Sequence, residues 1–311
     1  MKMRITLIIV FIFTTLSLRA APVLFPSEVS KDRLGTELLW QAYLRLPKDK
    51  RPHVVLVLGG GGARGLAHIG VLKVFEQEHI PVDEVVGVSV GALIGALYAG
   101  GLPPGKIELM ANEIGWDRIA NVSGTSVVKM ILSDSLLSSN KMETYLNDHL
   151  GVKTFADLNI PFSCVATDIR TGERIIFQEG PVAAAARASA TLPGIFQPVS
   201  YRQRSLVDGG LVDNLPVDIA RQSDKNSIVI GVLPINTVDR GPVKNMFSFF
   251  VRSIDIQKDI IIESQKNKAD YLLEPNVGMV SMADLNKGAE CIEAGMLEVR
   301  RHILEIKKKI L

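Results

Sequence analysis

Five residues, Gly87-Val88-Ser89-Val90-Gly91, have the make-up of a turn that carries a hydroxyl nucleophile. In G-x-S-x-G the chain reverses sharply from strand to helix, and small residues two before and two after the serine avoid clashes in the turn. The hydroxyl then stands at a helix N-terminus, where emerging negative charge is favoured. The bare pattern recurs by chance, so its flanks decide. Residues 85–88 are an apolar run suited to a buried strand, and residues 92–99 form a small-residue helical pattern that stops at Gly100 and Gly101, with Pro103 just beyond.

About 25 residues upstream lies Gly59-Gly60-Gly61-Gly62-Ala63-Arg64-Gly65, between a branched apolar run at 54–58 and a helical pattern at 67–79. Glycines there admit φ > 0 and bring backbone N–H groups close to a bound group, beside a helix N-terminus that attracts negative charge. Two functions compete for this loop. Gly60, Gly62 and Gly65 have the G-x-G-x-x-G spacing of a dinucleotide-binding turn. That reading wants an acidic residue at the end of the next strand, whereas Asp83 and Glu84 precede theirs. In the other reading Gly60, Gly61 and Gly62, joined by the N–H of Val90, form an oxyanion hole for acyl transfer. Measured precedents put the loss of one such donor at about 2.7–4 kcal/mol. The serine turn downstream favours the oxyanion hole; tight strand–helix packing is the bland remainder. Arg64 orders the loop, adds positive potential, or is a surface arginine at a helix start.

The third motif is Asp208-Gly209-Gly210, with Leu211-Val212-Asp213-Asn214-Leu215-Pro216 behind it. An acid flanked by glycines at a strand end suits a catalytic base and equally a turn-forming Asx residue. The motif alone leaves both open. A carboxylate with its ordinary pKa of about 4 is a weak base for a serine hydroxyl. Burial raises such a value, and the proton need move only as the serine attacks.

The elements that must position these motifs alternate between strand and helix. Apolar runs at 54–58, 85–88, 161–166 and 228–233 read as buried strands, with shorter ones at 174–177 and 205–207. Helical spacing recurs at 37–46, 67–79, 92–99, 107–116 and 141–150. The alternation predicts an α/β fold with a mostly parallel central sheet and helices on both faces. No internal repeat, low-complexity stretch or linker divides the region after residue 50, so one domain is expected.

Composition narrows the function classes. Hydrophobic residues make up 47% and charged residues 22%, the balance of a folded globular protein. Met1–Arg4 carries two positive charges, residues 5–18 are uncharged and mostly apolar, and Ala20, Ala21 and Pro22 follow. An apolar run of 14 residues is short of the roughly 20 a spanning helix needs and fits a signal peptide, so export to the periplasm or medium is expected, with an uncleaved anchor as the alternative. Setting aside Lys2, Arg4 and Arg19 leaves 32 of the 35 basic residues against 33 acidic ones. Near neutrality, the chain lacks the electrostatic footprint of a nucleic-acid binder. Two cysteines, Cys164 and Cys291, are too few for a disulfide framework or metal cluster; one bridge or two buried thiols are the choices.

Together the glycine loop with Arg64, the Gly87–Gly91 turn and Asp208-Gly209-Gly210 resemble the patatin-like phospholipase family, particularly its bacterial members. The likeness extends to residues 67–72, 160–168 and 188–198, and covers roughly 54–235. Val88 and Val90 stand where bacterial relatives more often have Thr and Met; elbow side chains point away from the chemistry, so altered packing or acyl-pocket shape is expected. The resemblance implies a three-layer patatin-like fold and a phospholipase A or lysophospholipase acting on membrane lipids. It implies catalysis by a Ser89–Asp208 dyad without histidine, an oxyanion hole at Gly60, Gly61, Gly62 and Val90, and supporting motif residues Arg64, Gly65, Gly87, Gly91, Gly209 and Gly210. No metal and no cofactor are expected, and peripheral membrane contact fits a lipid substrate. The alternatives are a carboxylesterase on neutral or soluble esters and an exported, non-catalytic lipid-binding protein. The chain then divides into a signal peptide (1–20), a lead-in (21–53), a catalytic core (54–235) and a helical remainder of the same domain (236–311).

Other residues take bland readings. His68 lies in an apolar helix start and reads as structural, and His53, His79 and His149 border elements. Residues 246–251, with Phe247, Phe249 and Phe250, read as a core helix face ahead of a lipid-docking one. Arg300, Arg301, Lys307, Lys308 and Lys309 read as the solvated face of a last helix, on which His302 also lies.

Overall fold

The computed structural model describes residues 31–113, 137–236, 243, 246–282 and 284–311. The expected export signal, residues 114–116 of the helix expected over 107–116, and the side chains of Phe247 and Phe250 lie outside the described residues.

In chain order the described elements are α1 (Lys31–Tyr43), β1 (Val54–Leu58), α2 (Ala67–Gln77), β2 (Glu84–Val88), α3 (Val90–Ala99), α4 (Pro104–Glu113) and α5 (Asn140–Leu150). They continue with β3 (Phe162–Asp168), β4 (Arg174–Phe177), α6 (Val182–Ser189), β5 (Val199–Tyr201), β6 (Arg204–Asp208) and α7 (Val217–Ser223). Last come β7 (Ile228–Val232), α8 (Met246–Glu263), β8 (Tyr271–Leu273) and α9 (Gly288–Ile310). Every residue of β1, β2 and β3 is buried, as befits central strands with helices over both faces of the sheet.

The strands form one sheet in the order β5-β6-β3-β2-β1-β7-β8, with β4 also on β3. Pairings from β3 through β2, β1 and β7 to β8 are parallel, and those of β4, β5 and β6 are antiparallel. The alternation along β1 divides the core. Leu56 and Leu58 join Leu72 and Phe75 on the face covered by α2, α3 and α9, while Val55 and Val57 join Leu215 and Ile219 of the α7 region on the other. Each such buried side chain contributes roughly 1.5–3 kcal/mol of transfer free energy.

The last helix departs most from the sequence reading. Gly70 of α2 and Gly295 of α9 lie at the helix crossing, where a Cβ on either would run into backbone of the other helix, so the two helices meet backbone to backbone. Lys307, expected in solvent, is buried: its Nζ bonds Glu37 of α1 at 2.9 Å and Glu78 at 2.9 Å. Its cation also lies 5.7 Å from the centroid of the Trp40 ring. Three contacts offset the desolvation of that charge. Arg301 and Lys309 remain exposed, and Lys308 reaches Asp32 at 2.6 Å. Helix α1 begins and ends earlier than the expected 37–46, burying Trp40 and Tyr43 while Leu38, Leu39, Leu44 and Leu46 stay exposed. Elements β5, β8, α6 and α7 had no counterpart in the sequence reading, and β8 makes the region after 236 part of the sheet through Ile230↔Tyr271. Both cysteines are free and buried; burial pushes the Cys291 thiol up to about 11 and Cys164 higher still.

Candidate active site

Ser89 occupies the turn between β2 and α3 with φ 56° and ψ −127°. A non-glycine residue there costs about 1–3 kcal/mol, a strain that persists only where the surroundings over-determine it. They do so here. A Cβ at Gly87 would lie 2.6 Å from the Gly91 carbonyl oxygen, and one at Gly91 would strike the end of β1 at Leu58. The Ser89 N–H donates to Ser189 Oγ at 3.0 Å, and that hydroxyl donates onward to the Val165 carbonyl at 2.6 Å. The Ser89 carbonyl accepts from Ala92 N–H at 2.9 Å, opening the helix.

Sheet register brings the acid to the serine. On β3, Val165 pairs with Val88 of β2 and Ile176 of β4, while the next residue, Ala166, pairs with Ile175 of β4 and Asp208 of β6. Strand β6 therefore continues the edge of β3 that β2 leaves, and Asp208 stands where the chain turns out at Ser89. Ser89 Oγ donates to Asp208 Oδ2 at 2.5 Å. Asp208 Oδ1 accepts from Gly210 N–H at 2.8 Å, its own N–H donates to Thr191 O at 2.8 Å, and its carbonyl accepts from Thr167 Oγ1 at 3.0 Å. The carboxylate is 1% exposed, so both its oxygens are used inside the protein. Gly209 packs on the Val165 carbonyl too closely for a Cβ.

The glycine loop sorts its four residues by what their N–H groups do. Gly59 N–H continues the sheet to Val232 O at 3.0 Å, and Gly60 N–H donates to Asn214 O at 3.3 Å. Gly60 is thus corrected as an oxyanion donor: its N–H is engaged, and a Cβ there would lie 2.4 Å from Asn214 Oδ1 and 3.3 Å from Ser89 Cβ. Among the described residues, the N–H groups of Gly61 and Gly62 go to no backbone carbonyl, and that of Val90, first in α3, has no intrahelical partner. Gly62 has φ 59°, and a Cβ there would meet Met282 O at 2.5 Å. Gly61 is extended, with room for a Cβ, so positive φ does not explain it. Gly65 admits the Val90 side chain beside it.

Arg64 is buried and orders the loop: Nε donates to Gly61 O at 3.3 Å, and the guanidinium holds Asp255 of α8 at 2.8 Å and the Asn236 side chain. The surface reading of Arg64 is corrected accordingly. His68 donates through Nε2 to the Gly59 carbonyl at 2.8 Å, and burial pushes its imidazole down to about 4. Asp83 is bound by Arg51 at 2.7 and 2.8 Å and by Val54 N–H at 3.0 Å, which place it at the start of β1 rather than at a ribose. His302 bonds Tyr271 at 3.0 Å and lies 3.6 Å from Glu298, partners of its own on β8 and α9.

Two kinds of cavity meet at Ser89. Ser89 and Asp208 open onto a space of about 110 Å³ walled by Leu66, Val90, Leu93, Met142 and Phe196. It adjoins a second space of about 110 Å³, lined only by carbon-rich side chains between α3, α4 and α5, through Leu66, Val90, Leu93, Met142 and Leu285. Val90, expected to point away from the chemistry, lines both spaces. A polar cavity of about 300 Å³ lies beside Gly60 and Gly61, with Arg64, Asn214, Asp255 and Asp259 in its wall. Lys258 of α8 borders the polar and serine cavities, buried, with Nζ 3.6 Å from Asp208 Oδ1. Neither Lys258 nor Ser189 stood out in sequence; Ser189 falls in the 188–198 stretch, and nothing marked Lys258. Among the described residues no cluster of three or more His, Cys, Asp or Glu could hold a metal ion, and no helix is long and apolar enough to cross a membrane.

Comparison with known proteins gives this geometry a context. An uncharacterized NTE family protein of Mycobacterium tuberculosis is 31% identical over 208 residues, covering 66% of this chain and 55% of that protein. Human patatin-like phospholipase domain-containing protein 6 is 36% identical over 183 residues, 57% of this chain and 13% of that protein. The chain thus spans about half the length of the mycobacterial relative and a small part of the human one. Among solved structures, VipD from Legionella pneumophila has a TM-score of 0.49 at 14% identity, covering 82% of this chain and 67% of that one. Human GIVD cytosolic phospholipase A2 has a TM-score of 0.47 at 10% identity, covering 90% and 63%. The family model described as patatin-like phospholipase matches residues 56–221, more than half of the 311, and the chain belongs to that family.

Proposed function

We propose that this protein is a serine acyl-ester hydrolase of phospholipase A or lysophospholipase type, acting on membrane lipids through Ser89 and Asp208. The observation that carries the reading is the 2.5 Å bond from Ser89 Oγ to a buried carboxylate at the mouth of an apolar cavity. Ser89 Oγ attacks the ester carbonyl as its proton passes to Asp208 Oδ2. The carbonyl electron pair moves onto oxygen, where the N–H groups of Gly61, Gly62 and Val90 receive it. Collapse expels the alcohol, which takes the proton from Asp208. Water, deprotonated by the same carboxylate, then attacks the acyl carbonyl, and Ser89 Oγ leaves with the proton from Asp208 as the fatty acid is released.

The two joined apolar spaces, extending away from Ser89 between α3, α4 and α5, suit an alkyl chain better than a soluble acyl group. That favours lipid over soluble esters, since apolar surface is recognised in proportion to the area removed from water. Export through residues 1–20 and contact with a lipid surface complete the proposal; the exposed Phe249 on α8 is a contact point for the latter. The test is incubation of purified protein with defined phospholipids, lysophospholipids and neutral or soluble esters, with products identified by mass. Fatty acid released from phospholipid by wild type and not by Ser89→Ala supports the reading. Turnover of soluble esters alone moves it to the carboxylesterase class, and a folded protein that hydrolyses nothing overturns it.

A further inference from the structure

Lys258 is a buried cation whose position only the fold explains. Its side chain is 5% exposed, and its Nζ lies 3.6 Å from Asp208 Oδ1, beyond a hydrogen bond but well within an ion pair. Space is made for it: a Cβ on Gly210 would lie 2.8 Å from both Lys258 Cε and Nζ. The neighbouring Gln257 ties α8 to the same turn, donating through Nε2 to Leu211 O at 3.2 Å. A buried ammonium persists only when paired, and the partner here is the carboxylate that holds the serine.

We propose that Lys258 is the counter-charge of the Ser89–Asp208 pair, a positioning residue whose ammonium faces Asp208 Oδ1 and leaves Oδ2 to the serine hydroxyl. This rests on the hydrolase reading above. At the serine itself the facing charges are the Asp208 carboxylate and the Lys258 ammonium. As the Ser89 Oγ–carbon bond forms, the proton moves to Asp208 and the negative charge moves to the substrate oxygen. Lys258 balances the carboxylate before the transfer and the oxyanion after it, so the site stays neutral throughout. Other charged groups line the neighbouring cavity. Arg64 holds Asp255 at 2.8 Å, and Glu263 holds Lys266 at 2.6 Å. Asp259 and Glu274 line the same cavity wall.

The experiment is the pH dependence of Ser89 labelling by a fluorophosphonate, run beside ester hydrolysis, on wild type, Lys258→Met, Lys258→Gln and Lys258→Arg. With the charge removed, the acid limb moves up by about one to two pH units, the size of effect an opposite charge at this range has. The Met and Gln variants move together, so either one that folds suffices, and Lys258→Arg keeps the limb near that of wild type. A Met or Gln limb that coincides with wild type overturns the inference, as does an Arg limb that moves as far as theirs; a structural lysine would alter stability without moving the limb. A wild type that does not label overturns the hydrolase reading itself, whereas a labelled wild type with an unmoved variant limb overturns this inference alone.

Discussion

Lowering the pH from 7 to 5 should cost this protein about 2 kcal/mol of folding stability through His68 alone. The imidazole is fully buried, donates to the Gly59 carbonyl, and has no partner for Nδ1 among the described residues. Burial pushes it from 6.5 down to about 4, the Gly59 bond opposing the shift. The unfolded chain therefore takes up a proton near pH 6.5 that the folded chain refuses until about pH 4. Stability is present above the unfolded value and lost as pH falls through this window, reaching about 3 kcal/mol below it. Paired carboxylates lose stability in acid as well, so the measurement is a difference. His68→Gln places an amide donor near the Gly59 carbonyl without a titrating group. Urea unfolding of both proteins at pH 7 and pH 5 should show the wild type losing about 2 kcal/mol more than the variant. Parallel losses in the two proteins would refute the argument.

Three further outcomes are expected. Asp208→Asn should lose activity by orders of magnitude, because the amide keeps the shape but cannot take the serine proton, whereas His302→Ala stays within a few-fold; equal damage in two folded variants, measured as kcat/KM, would contradict the Ser89–Asp208 assignment. Gly62→Ala should lose turnover and about 1–3 kcal/mol, from its positive φ and the Met282 carbonyl, while Gly61→Ala keeps its stability; thermal unfolding and initial rates read both. The full chain produced in a secreting bacterial host should leave the cell shortened by about 20 residues, and a mass that retains Met1 would contradict export.

Local composition alone carried the parts of this protein whose chemistry is local. The runs at 54–58, 85–88 and 228–233 are short, rich in Val and Ile and without a charged residue, which suits strands of a sheet covered on both faces. In the G-x-S-x-G turn the demand for Gly87 is local, set by Gly91 and Ala92, whereas that for Gly91 comes from the end of β1 at Leu58 and Gly59. Three-residue strands such as β5 and β8 escape this logic, because a period of two needs more residues to show. Charge is ambiguous for a different reason. Lys307 sits in a basic run that reads as solvated, and only Glu37 and Glu78, brought to it by α1 and the end of α2, make a buried cation tolerable. Gly60 and Gly61 are indistinguishable as letters, yet one N–H is taken by Asn214 and the other is not. The pairing of Ser89 with Asp208 across 119 residues, and the arrival of Lys258 beside them, are products of sheet register and helix docking. Residue type and spacing determine which groups can do chemistry; which of them meet, and which are already spent on holding the fold, is decided by long-range packing.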